Sequence, residues 1–137
     1  KKTAHRAGRG YCYEEKDGEF HTPGTINILV FTNKALTDSA MVKAIMTITE
    51  AKTAALQDWK VESTQDFPKY NTHIVHSLAK ETNTSATGTA TDGIILTINT
   101  NGDVLTDAGS YSLFGDTLAK AVYLGVQRAL ENAIGTE

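Results

Sequence analysis

The residue whose position most demands a chemical explanation is Lys52. At about 100° per residue, Met41, Ile45, Ile48, Ala55 and Leu56 fall on one apolar stripe of a helix, with Lys52 in its middle. An ammonium there is costly unless it is paired, opens onto a polar cavity, or snorkels past the last turns into water. Lys43, Thr47, Glu50, Thr53 and Gln57 make the opposite, polar stripe. Glu50 is then either solvated surface or a carboxylate turned towards a site. A second constellation is Ala86-Thr87-Gly88-Thr89-Ala90-Thr91-Asp92. If extended, it sets Thr87, Thr89 and Thr91 on one face and leaves the other, of Ala86, Gly88 and Ala90, nearly bare. A bare face lets a helix or ligand approach the backbone closely. Hydroxyls ending in a carboxylate supply donors, acceptors and a counter-charge for a lysine, although a plain threonine ladder in a packed strand has the same pattern. The expectation is that Lys52 pairs with Asp92 and that this segment packs near Ala51, Ala54 or Ala55.

Asn27 stands inside an apolar strand beside Leu29 and Phe31. It is either a buried amide that orients something or a strand-end amide capping a loop. His73 and His76 are three apart but lack a third ligand, so no metal site is expected. Nucleophile-elbow, phosphate-loop and dinucleotide fingerprints are absent from the sequence.

The elements that must position these residues follow from the pattern. Thr25–Thr32 is apolar on both alternating faces, the pattern of a central strand covered on both sides. Thr37 or Asp38 caps a helix over Ser39–Asp58, with Leu36 and Met41 as a hydrophobic staple. A short strand is expected at Trp59–Glu62 and a helical turn at His73–Ala79. Gly93–Ile98 reads as a strand, and Asn101-Gly102 as a hairpin turn joining it to Val104-Leu105. Ser112 caps a last helix through Ala133, with Phe114, Leu118, Val122, Ala129 and Leu130 near one face and Gly135 past its end. Lys16-Asp17-Gly18 marks a hairpin in residues 1–24. The expected fold is α+β, loosely α/β: a mixed sheet with two long helices packed on it, in one domain.

At 137 residues with 40% hydrophobic and 21% charged residues, the chain can bury a real core without staples. A net charge of −3 offers no basic footprint for nucleic acid. No apolar run reaches the roughly 20 residues of a membrane span. Cys12 is the single cysteine, which fits a reducing cytoplasm.

Arg6-Ala7-Gly8, Gly24-Thr25-Ile26-Asn27, Thr49-Glu50-Ala51-Lys52-Thr53-Ala54-Ala55-Leu56, Ala86–Asp92 and the helix around Leu113–Val122 occur in order along nearly the whole chain. Together they resemble the signatures of the adenosylcobinamide amidohydrolase family. The resemblance implies hydrolysis of the amide joining the aminopropanol arm to the corrin ring, in corrinoid salvage. It also implies a small-molecule corrinoid partner and no resident cofactor, cobalt entering as part of the substrate. Members carry further sequence ahead of the Arg-Ala-Gly segment, so the chain is expected to lack the N-terminal part of the family; a homo-oligomer or a contact with that segment is a further expectation. The implied catalytic set is Lys52, Asp92, Glu50, Thr91 and Thr89. The implied substrate-binding set is Asn27, Thr25, Gly88, Thr87, Tyr111 and Ser110. Where relatives tend to place a histidine between two hydroxyl residues, this chain has Ser110-Tyr111-Ser112. The alternative is therefore a non-catalytic corrinoid-binding or sensing module descended from the enzyme.

Overall fold

The computed structural model describes residues 25–61, 85–89 and 91–134. The hairpin expected within residues 1–24 and the turn at His73–Ala79 lie outside them. In chain order the elements are β1 (Asn27–Phe31), β2 (Ala35–Leu36), α1 (Asp38–Asp58), β3 (Gly93–Thr97), β4 (Val104–Leu105) and α2 (Leu113–Ile134). This is the α+β class with two long helices.

The strands pair in parallel, β1 with β3 and β2 with β4. Backbone hydrogen bonds from Thr32 to Thr97 and from Ala35 to Asp103 continue the pairing between the two ladders. Segments 26–37 and 93–105 therefore run side by side as one interrupted parallel pair. Parallel neighbours need a crossover connection, and α1 lies on the stretch that joins them. The expected Asn101-Gly102 hairpin does not form. A tight turn is present, with Gly102 N–H donating to the Asn99 carbonyl at 2.9 Å. However, the chain leaves it to pair with β2 rather than to fold back on β3. Phe31 pairs with Thr97 and Ala35 with Val104, so the turn absorbs three extra residues between the ladders. The dipeptide correctly marks a change of direction, but a partner far upstream decides the pairing.

Helix α1 begins where its caps require. The Thr37 hydroxyl accepts from Ala40 N–H at 3.3 Å, and Leu36 is buried while Met41 packs against the same core. Its far end differs from expectation. Trp59–Val61 form a helix-terminating turn instead of a strand, with Lys60 N–H bonded to the Gln57 carbonyl and Val61 N–H to that of Leu56. These two bonds define a Schellman closure, and Lys60 takes the left-handed conformation at φ 52° that such closures need. Ser112 caps α2 as expected, accepting from Gly115 N–H at 3.0 Å.

The core lies between the helices and one face of the strands. Ala40, Ala44, Ile48, Ala51 and Ala55 of α1 meet Leu118, Val122 and Val126 of α2, with Ile28, Val30, Ile94 and Leu96 packed beneath. The buried stripe is thus an alanine row, rotated from the expected one. Ile45 is exposed, whereas Thr47 is buried and donates to the Ala108 carbonyl at 2.8 Å. On α2, Val126 takes the buried place expected of Ala129, which is exposed. Among the described residues strand β1 is covered on one side, since Leu29 and Phe31 are exposed, as is Ile95 of β3. Both helices pack on the Ile28–Val30 face, which leaves the alternate residues outside.

Candidate functional site

The Schellman turn is what brings the site together. The Val61 carbonyl, aimed by that turn, accepts from Ala86 N–H at 2.7 Å. This docks the 85–89 segment beside the end of α1, with Ala86 fully buried. Lys52, two turns back on α1, faces the same segment. Its side chain is 11% exposed and forms an ion pair with Asp92, whose side chain is 15% exposed. The expected pairing is present.

Asp92 receives four donors, two on each oxygen. Lys52 Nζ and Thr89 N–H reach Oδ2, the latter at 3.1 Å. The Thr89 hydroxyl at 2.5 Å and Ile26 N–H at 3.1 Å reach Oδ1. Burial works against ionising this carboxyl, but the Lys52 and Thr89 hydrogen bonds and the lysine charge outweigh it. The Asp92 pKa is held below its ordinary value of 3.8. With a cation on one edge and a hydroxyl on the other, the carboxylate is held ionised, as a counter-charge for Lys52 and an acceptor for the Thr89 hydroxyl.

The Ile26 amide was not legible in the sequence, because no side chain announces it. It matters because Ile26 also accepts from Gly93 N–H at 3.0 Å, so the first rung of the sheet and the carboxylate share one residue. Thr25 donates its hydroxyl to the Thr91 carbonyl at 2.7 Å, closing the same corner. Asn27 is exposed rather than buried. Its Oδ1 sits 2.9 Å from where a Cβ would stand on Gly93, at the edge of this corner.

Thr89 turns in towards Asp92, so the three threonines do not form the single extended ladder that strict alternation implies. Thr87 and Thr91 are each partly buried. Gly88 leaves room for the ion pair, since a Cβ there would lie 2.9 Å from Lys52 Nζ and inside contact distance of the Asp92 carboxylate, so these side-chain ends would have to shift. Valine at this position must displace the ion pair. Gly88→Val is expected to lower the unfolding free energy by about 1–3 kcal/mol, read from urea denaturation. An unchanged midpoint would show that the pair tolerates the intrusion.

Three expected residues lie elsewhere. Glu50 is two positions from Lys52 and so on the other side of α1. With Ser110 it lines a shallow groove of about 410 Å³ between the helices, beside Ala54 and Tyr123. Tyr111 extends fully into solvent. Among the described residues no three His, Cys, Asp or Glu side chains gather as a metal site. No described helix is long and apolar enough to cross a membrane.

A parallel strand pair with two helices on one face, and a buried lysine–carboxylate pair where a strand meets the first helix, define an α+β protein with a polar centre at its sheet end. The profile of the adenosylcobinamide amidohydrolase family matches residues 2–137, and the chain belongs to that family. It is 39% identical over 107 residues to an uncharacterised protein of Methanocaldococcus jannaschii, an alignment covering 78% of this chain. The chain spans 36% of the length of that relative. No solved structure matches it.

Proposed function

We propose that the chain hydrolyses the aminopropanol amide of adenosylcobinamide, giving adenosylcobyric acid, and that the Lys52–Asp92–Thr89 cluster carries the reaction. The observation behind this reading is the buried ion pair with a hydroxyl hydrogen-bonded to its carboxylate. Amide hydrolysis needs stabilisation of the oxyanion formed at the carbonyl and a proton for the departing amine. Lys52 supplies positive charge in a dehydrated corner, where it counts for more than in water. Asp92 holds that charge in place and passes the proton. Asn27 and Thr25, at the mouth of the corner, orient the substrate amide. A groove of about 700 Å³ runs from Thr25 along β1 against α2, and its lining by Ile28, Val30, Val122 and Val126 offers apolar surface to a large flat ring. Cobalt arrives as part of the substrate.

The test is incubation of the protein with adenosylcobinamide and assay for released aminopropanol. Release that depends on Lys52 supports the proposal. Corrinoid binding with no release assigns the chain instead to a binding or sensing module, the reading favoured by the solvent-exposed tyrosine in Ser110-Tyr111-Ser112.

A further inference from the structure

We infer that Thr89 is a covalent nucleophile, so that the protein is an acyltransferase that hydrolyses only because water is its usual acceptor, and that it passes the same acyl group to small amines. This rests on the amide-hydrolysis reading above.

The hydroxyls near the centre differ in what they donate to. Thr25 gives its proton to a peptide carbonyl, as does Thr47 deep in the core. A peptide carbonyl has no tendency to keep a proton, so such a hydroxyl is anchored but not activated. Thr89 donates at 2.5 Å to a carboxylate whose other edge carries Lys52. Its backbone N–H bonds the same carboxylate, which fixes the residue at two points. The side chains of the pair are 11% and 15% exposed, and Thr89 lies partly buried beside them. An attacking oxygen needs such a grouping, with an acceptor for its proton and a cation alongside. Glu50, the other candidate for activating water, faces the groove between the helices instead.

In the first half-reaction, Thr89 Oγ1 bonds to the amide carbonyl carbon as its proton passes to Asp92. The carbon–nitrogen bond then breaks, and the departing amine takes that proton. Thr89 is left as an ester of the corrinoid acid. In the second, water adds to the ester carbonyl, the acid leaves, and the Thr89 hydroxyl is restored. A primary amine or hydroxylamine in place of water yields a new amide or a hydroxamate by the same sequence, with no oxidant or further co-reactant.

Adenosylcobinamide is incubated with the full chain in rising neutral hydroxylamine, and products are resolved by mass spectrometry. The expected result is a corrinoid hydroxamate that grows at the expense of free acid, while release of aminopropanol does not fall. Thr89→Val should lower both products by at least about a hundredfold, and Thr89→Ser should keep both within about tenfold. Wild type that releases aminopropanol without forming hydroxamate, together with Thr89→Val hydrolysing within about threefold of it, would overturn the inference and leave the hydrolase reading intact. A second arm needs no corrinoid: p-nitrophenyl acetate should acetylate Thr89, located by peptide mapping. Acetylated Thr89 in a protein that never cleaves adenosylcobinamide would sustain the nucleophile and refute the substrate. No acetylation and no hydroxamate would refute the nucleophile.

Discussion

Lys52→Ala is expected to lower aminopropanol release from adenosylcobinamide by at least about a hundredfold, the usual consequence of removing an electrostatic partner from a dehydrated site. The same change should destabilise the fold. It deletes the cation from a carboxylate whose side chain is only 15% exposed, leaving a buried charge with less compensation. Losing one partner of a buried pair costs about 3–5 kcal/mol. The low end applies here, because Ile26 and Thr89 still donate to Asp92. Lys52→Met separates the two effects, since it keeps the packed stem and removes only the charge. Urea denaturation and the release assay, run on both variants, decide the matter. Wild-type activity in Lys52→Met would remove the lysine from the chemistry and leave it a structural role.

Asp92→Asn should be at least as damaging to activity, about a hundredfold or more. Asparagine keeps the shape but offers one acceptor and one donor end. Four donors converge on the carboxylate, so one edge of an asparagine must face N–H or ammonium groups with its own NH₂. The pH dependence gives an independent check. The folded-state pKa of Asp92 lies below 3.8, so its ionised form adds stability at neutral pH. That contribution is complete above the unfolded value and is lost as pH falls through the lower, folded one. The gap in unfolding free energy between wild type and Asp92→Asn should therefore be constant around neutrality and shrink below pH 3.8. A gap that shrinks instead between pH 6 and 8 would assign the titration to another group. The double variant should be little slower than either single one, because the two side chains act as a unit.

Two kinds of information met in this chain. Local rules read the starts of the helices well. Thr37 and Ser112 carry hydroxyls at positions where helix N–H groups would otherwise go unpaired, and capping depends on neighbours within a few residues. Lys52 was legible for a related reason: an ammonium inside an apolar stripe is an inconsistency visible in the helix itself, and a carboxylate is the simplest remedy. That the carboxylate belongs to Asp92 followed from the bare, small-residue face around Gly88, where the backbone can come close.

The remainder was decided at long range. The rotation of the buried stripe depends on where α2 lies, so Ile45 and Thr47 exchanged their expected environments. An Asn-Gly hairpin turn would need positive φ at Asn101, but here Asn101 lacks it and Gly102 instead closes a turn from Asn99, a choice set by the pairing of β4 with β2. Lys60 carries no left-handed preference of its own. It adopts φ 52° because the Schellman bonds and the docking of Ala86 on Val61 repay the strain. The Ile26 amide and the turn of Thr89 into Asp92 belong to this second kind, as does the separation of Glu50 from Lys52 around one helix. Composition and spacing thus determined which residues are chemically unusual. Only the tertiary structure determined which of them share one carboxylate, because that depends on backbone groups brought together across 66 residues of chain.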